Sequence, residues 1–301
     1  MTETSTSTTT LIQRTTSSPT ADAKGKEKEI PIYEPLTQPR ALHSVVENDI
    51  YLLGGQFAIL CQFAHPALAK GSYLHSSFAD RIPQRLRNTA RFLNVAVCGN
   101  EEEKKAIFTV IHKYHARVKG DDYTADDPEL HKWTAATLFI SIVLVRETFF
   151  GKMDKGEMEN LLRESAIFGT SLRMPPEMWP VDLDAFWSYW DYNIATLEVT
   201  DMAQSLAKDL LYPRNLPMSM AWTLPVARMV TVNWLPERLA REYNLQPTLS
   251  SQAAYVAFVA WVKAVYPFLP ASVRGRRHAE YMEDLKKAVE KINRTGHWAG
   301  I

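Results

Sequence analysis

Residues 104–120 read KKAIFTVIHKYHARVKG, and the way this stretch folds decides the architecture of the chain. Asn100 stands before Glu101, Glu102 and Glu103, a capping side chain followed by acids where the helix dipole is positive. Gly120 is the matching stop. Between them Phe108, Ile111, His115 and Val118 recur at spacings of three, four and three, so at 3.6 residues per turn they share one face. The spacing predicts a helix that packs through this face and carries the His115 imidazole inward. His112 lies on the turn below, displaced around the axis, and faces the same cavity or its rim.

An imidazole on an apolar stripe has two explanations. The commoner is a core histidine paired with a backbone carbonyl. The other is an axial ligand to haem iron, which needs a neutral imidazole held in an apolar pocket, with cations nearby for the propionates. The pattern leaves both open.

The remaining sequence bounds the answer. Apolar residues make up 46% of the 301, enough for a sizeable core, and 34 lysines and arginines balance 34 acids, so no field draws in nucleic acid. Cys61 and Cys98 stand alone on apolar stretches and do not resemble a disulfide framework, and without a CxxCH any haem is held non-covalently. The longest apolar run, Thr137–Val145, is closed by Arg146 and Glu147 and is far short of the ~20 residues of a bilayer crossing, which reads as a core helix rather than a transmembrane segment. No signal peptide pattern opens the chain, which points to the cytoplasm.

Residues 1–40 read as a disordered Ser/Thr-rich tail ending in a proline-marked strap with Pro31, Pro35 and Pro39, and residues 41–301 as one domain. Helical patterns succeed one another there and no stretch alternates as a strand does, so the expected class is all-α. A helix expected over 52–69, within the stretch that includes GGQFAILCQFAHPALAKG at 54–71, is apolar on all sides; Gly54 and Gly55 allow close approach, and Pro66 is expected to bend it rather than end it. His65, just before the bend, either pairs with a carbonyl freed by the proline or lines a pocket.

On a helix over 82–97, Arg85 and Thr89 stack four apart with Phe92 and Ala96, while Arg81, Arg87 and Arg91 make a solvated side. Asp127 as cap and Pro128 at the first position open a helix to Phe150, with His131 expected exposed in its first turn. A helix over 155–171 follows. An aromatic helix over 184–197, with Phe186, Trp187, Tyr189, Trp190 and Tyr192, reads as core before ligand lining. A charged helix over 279–293 comes last.

Several chemistries are missing from the sequence. There is no HExxH, no Glu three residues before any histidine, no GxSxG, no P-loop and no dinucleotide fingerprint. What stands is a helical body with buried imidazoles, an arginine on an apolar stripe and many aromatics.

Five segments in order, the GGQFAILCQFAHPALAKG helix, RLRNTARFL, HARVKG, YTADDPEL before an apolar ATL helix, and NWLPERLAREYNL, carry a resemblance. They resemble the haem-dependent oxygenase domain shared by bacterial rubber oxygenase, the latex clearing protein, and the ER-bound oxygenase of mycophenolic acid biosynthesis. The resemblance runs from about Leu52 to Asn244.

It implies an all-α fold holding one haem b, and dioxygen-dependent cleavage of a C=C bond in an apolar, isoprenoid-like substrate to carbonyl products. By position it makes His115 the proximal iron ligand and puts Arg85 and Thr89 beside the haem, with His65 and Arg117 as further candidate cofactor contacts. Two departures stand out. Asn88 occupies the position where rubber oxygenase can carry a distal lysine ligand, and Ala135 the position where many relatives carry a histidine. The competing expectations are a non-catalytic helical binder of hydrophobic ligands and a haem sensor or carrier without turnover.

Overall fold

Asp127 accepts a hydrogen bond from the Glu129 amide at 2.9 Å and Pro128 takes the first helical position, and from there the chain stays helical to Phe150. In the computed structural model, which describes residues 39–75, 78–121, 123–214 and 221–296, this helix is the axle of the fold. Around it stand α1 (Arg40–Val46), a 3-10 turn (Asp49–Gly54), α2 (Gly55–Phe63), α3 (Pro66–His75), α4 (Phe78–Cys98) and α5 (Glu101–His115); the axle itself is α6. After it come α7 (Lys155–Ser165), α8 (Ile167–Thr170), α9 (Leu183–Thr196), α10 (Asp201–Leu211), α11 (Leu224–Trp234), α12 (Glu237–Glu242), α13 (Leu249–Val265), α14 (Ala271–Arg274) and α15 (Arg276–Thr295).

Among the described residues there is no strand, only an isolated antiparallel bridge between Lys119 and Thr124. The all-α expectation holds. The expected tail lies outside the described residues, apart from Pro39 and Arg40.

The central helix is apolar all round because it is surrounded. α2, the 3-10 turn, α7, α8 and α13 all pack on it. By length and composition it could cross a bilayer, but 67% of its most apolar window is buried inside this fold. Gly54 has the role its lack of a side chain suggests: a Cβ there would sit 3.1 Å from the Ser141 Cβ, so the 3-10 turn presses directly on α6. The aromatic helix α9 turns Phe186 and Trp190 into the core, where Phe186 packs edge-on to Phe139 at 4.7 Å, while Tyr192 is exposed.

Pro66 ends a helix instead of bending one. The two axes on either side of it meet at 103°. Proline has no N–H to give the Gln62 carbonyl, which is taken by the His65 amide in a tighter turn, and the Cys61 carbonyl is then left without its helical donor. The Trp133 indole N–H fills that place at 3.0 Å from α6, 1% exposed, so the break and the packing of α2 on α6 depend on each other.

Three further expectations are corrected. The expected 155–171 helix is interrupted at Ala166. The last helix is longer than expected, its first amides at Arg277 and His278 donating to the Asp49 carboxylate at 2.7 and 2.9 Å. Arg91, expected on a solvated side, is covered by α15 and pairs with Asp284 at 3.0 Å.

Trp133→Phe keeps the ring but leaves the Cys61 carbonyl buried without a donor. The expected loss is about 1–3 kcal/mol, read from the urea midpoint at constant m-value.

Candidate active-site cleft

The helix that carries His115 begins as expected and ends early. Asn100 and Glu103 form a reciprocal capping box, each side chain accepting from the other's amide at 2.9 Å. It stops at His115, a turn before Gly120, because the chain folds back: the Gly120 amide donates to the Tyr123 carbonyl at 2.9 Å and the Ala125 amide to the Val118 carbonyl at 2.8 Å. This reversal sets Asp126 and the first turn of α6 against the end of α5. Local periodicity gave the His115 face, but the contact across the turn is tertiary.

His115 lines a cleft of about 630 Å³, within the size range of small-ligand and cofactor pockets. Much of its wall is hydrocarbon, including Ile59, Phe63, Leu68, Leu86, Phe92 and Leu138. From α4 come Arg81, Gln84, Arg85, Asn88 and Thr89. Thus the structure brings together three of the residues singled out from sequence, His115, Arg85 and Thr89. Thr89 is exposed and Arg85 half-buried, and burial lowers the pKa of the guanidinium. Asn88 lines the same wall, its Oδ1 accepting from Gln84 Nε2 at 3.1 Å and Arg91 Nη1 at 3.4 Å. At the same cleft, His75 Nε2 and the Tyr123 hydroxyl meet at 2.6 Å and tie α3 to the 116–127 reversal.

His65 and Arg117 are not among the cleft's lining residues. His65 Nδ1 accepts from the Ala67 amide at 3.3 Å, so it caps the start of α3, where the sequence left open a bond to a freed carbonyl or a place in a pocket wall. Arg117 lies beyond the end of α5 and is exposed, its guanidinium 5.7 Å from the Tyr114 ring centroid.

His131, expected in solvent, is 3% exposed and does line the cleft. The reversal packs the first turn of α6 beneath α5, which no local pattern reveals. Its Nε2 meets the Ala125 carbonyl at 2.9 Å, and its ring centroid is 5.8 Å from that of His115. His112 is buried behind the cleft, with Nε2 at 2.8 Å from the Ser171 carbonyl.

The electrostatics favour neutral rings. Burial, then the neighbouring His131, His112, Arg85 and Arg173, push His115 down from 6.5 to about 3. His112 and His131 are also lowered, mainly by burial. His115 Nδ1 is buried without a hydrogen-bond partner. So are His131 Nδ1 and Asp126 Oδ1, and these three residues bring ligand-type atoms within 4.8 Å of one another. Asp126 also meets Arg173 Nη1 at 3.3 Å. Sequence reading missed Asp126 and Arg173, the first because the adjacent Asp127 already explains an acid there as a helix cap.

A second cavity of the same volume lies beside Arg40, His43, Glu47, Cys98 and Lys104. None of the unpartnered buried polar atoms found among the described residues belongs to it.

A histidine held neutral has a signature in stability. The folded pKa of His115 is below the unfolded value, so between about pH 3 and 6.5 the unfolded chain binds a proton that the folded chain does not. Stability is therefore complete above 6.5 and falls as pH falls, with a slope approaching about 1.4 kcal/mol per pH unit from this group. Urea unfolding between pH 7 and 4.5 is expected to show a shallower loss for His115→Leu than for the native chain.

The profile of the family described as ER-bound oxygenase mpaB/B'/Rubber oxygenase, catalytic domain, matches residues 43–264. An uncharacterized protein of Mycobacterium bovis and one of Mycobacterium tuberculosis are each 29% identical over 150 residues, 47% of this chain and 59% of theirs. The chain thus spans under two thirds of the length of these curated relatives. No solved structure matches it significantly. The profile covers the central helix, the α4 wall and both sides of the His115 reversal, and the chain belongs to the mpaB/rubber oxygenase catalytic-domain family.

Proposed function

We propose that this protein is a haem b-dependent oxygenase that uses dioxygen to cleave a C=C bond in an apolar, isoprenoid-like substrate. The observation that carries the proposal is His115: a neutral imidazole with a buried, unpartnered Nδ1, on the wall of a hydrocarbon-lined cleft that also receives Arg85 and Thr89. Membership of an oxygenase family supports an oxidoreductase, and the cleft's lining supports reading it as a haem enzyme with an apolar substrate.

The residues fit the cofactor. A metal ligand must offer a lone pair, and an imidazole that burial keeps unprotonated offers one at neutral pH. Arg81 and Arg85 on the cleft wall are cations for two carboxylates, and the hydrocarbon lining suits a porphyrin face. His115 would hold the iron, Arg85 would donate to a propionate or orient dioxygen, and the Thr89 hydroxyl would add a donor. When bound, haem supplies activation of dioxygen, chemistry that no side chain here can provide.

Asn88 is a weak iron ligand, and its carbonyl oxygen is already engaged by Gln84 and Arg91, so this position of α4 would not supply a second strong ligand to the iron. Ile59, Leu68 and Leu138 offer contacts to an apolar chain and exclude water from the reacting bond. The balance is simple: both oxygen atoms end as the two carbonyl oxygens, and no outside reductant is consumed.

The test is an absorption spectrum of purified protein supplied with haem. A Soret band is expected in the native chain and lost in His115→Ala while far-UV circular dichroism is kept, since the only proposed proximal donor is removed. Arg85→Ala is expected to keep the band and reduce dioxygen-dependent product formation roughly 100-fold, the scale of losing one preorganised donor. A protein that stays colourless with haem present, yet binds apolar ligands regardless of Arg85, would be the non-catalytic binder instead.

A further inference from the structure

Behind His115, on the side of Asp126 and Arg173, which are not among the cleft's lining residues, the hydrogen-bond bookkeeping does not close. The buried polar atoms without partners there include His115 Nδ1, His131 Nδ1, Asp126 Oδ1 and Arg173 Nε. They can be assigned by elimination. His131 Nε2 faces the Ala125 carbonyl, which can only accept, so the proton of neutral His131 is on Nε2 and its Nδ1 is an acceptor. Asp126 Oδ1 is an acceptor as well. Arg173 Nε can only donate and its guanidinium already meets Asp126, so of the two rings His115 is the one left to place a donor at Nδ1. A proton there leaves the lone pair of the neutral ring on Nε2.

Asp126 is itself held in place. Its other oxygen meets Arg173 Nη1 at 3.3 Å. Arg173 has φ +75°, in the left-handed region, and occupies the position after α8 where glycine is usual: its amide donates to the Thr170 carbonyl at 3.0 Å and the Met174 amide to the Gly169 carbonyl at 3.1 Å. An arginine there costs on the order of 1–2 kcal/mol in backbone strain that glycine avoids. Strain of this kind is characteristic of functional sites.

The same atoms could be read as a two-histidine, one-carboxylate site for a divalent cation. Arg173 argues against it. A guanidinium on the only carboxylate cancels the one negative charge such an ion would need.

Resting on the haem reading above, we propose that Asp126, oriented by Arg173, is a positioning residue that accepts the His115 Nδ1 proton when Nε2 binds iron. A ring nitrogen of His115 and a carboxylate oxygen of Asp126 lie within 4.8 Å of each other, and such bonds commonly tighten only once the site is loaded. A carboxylate behind a metal-bound imidazole fixes the ring and makes it a stronger donor, which favours ferric over ferrous iron. His131 Nδ1 is the alternative acceptor, and the Asp126 variants tell the two apart.

The experiment uses the haem-loaded protein and reads the ferrous iron–histidine stretch by resonance Raman, together with the midpoint potential. Asp126→Asn is expected to keep haem content, move the stretch to lower frequency and shift the potential upward; Asp126→Glu, which keeps the carboxylate, is expected to remain close to the native values. If Asp126→Asn does not fold, Asp126→Ser is read by the same criteria. Unchanged stretch and potential with haem bound would overturn this inference and leave the haem reading standing. Tight binding of Zn²⁺ to the haem-free protein, lost in Asp126→Asn, would overturn it in favour of the divalent site. A native protein that takes up no haem would remove the reading beneath it.

Discussion

Leaving one buried imidazole nitrogen without a hydrogen bond costs on the order of 1–3 kcal/mol, a large share of the stability of an ordinary domain, and this fold does it at His115. The cost is tolerable because the ring is neutral and because α5 is anchored well at its other end, where a complete capping box holds the first turn. It is informative because Asp126 and His131, which also have unsatisfied atoms, lie close by. Stability alone would favour filling such a place with leucine. A group bound to Nε2 in the cleft would fix the ring and let Nδ1 find its partner in Asp126.

The rest of the architecture can be understood as what makes that arrangement rigid. The central helix presents Trp133 to the broken end of α2 and, two residues earlier, His131 to the end of α5, so one rigid rod sets both the bend that shapes the cleft and the ring beside His115. Gly54 lets the neighbouring turn sit directly on that rod. The α4 helix, covered by α15 through the Arg91–Asp284 pair, turns a second set of polar groups into the same space. Binding residues on packed helices hold their geometry better than residues on loops would.

Much of this was legible in the chain itself, and what was not has a common cause. The start of α5, the start of α6 and the inward face through Phe108, Ile111 and His115 follow from capping and a 3.6-residue period, both local. The pairing of Arg85 with Thr89 on the cleft wall follows from a spacing of four. The burial of His131 does not, because the first turn of a helix after an Asp-Pro start is ordinarily wet, and only the backbone reversal at 116–127 covers it. Arg173 is 47 residues from Asp126, and no pattern links them. Pro66 looked tolerable within a helix because the apolar residues continue beyond it. The period of apolar residues does not report the direction of the axis, which turns there by 103°.

The central claim is that the cleft between α4 and the end of α5 is built around iron held by His115. A crystal structure of the haem-loaded protein tests it most directly. The account predicts porphyrin in that cleft, His115 Nε2 on the iron and Nδ1 within hydrogen-bond distance of the Asp126 carboxylate. Iron bound through any other side chain, or haem seated outside the α4–α5 cleft, would contradict it.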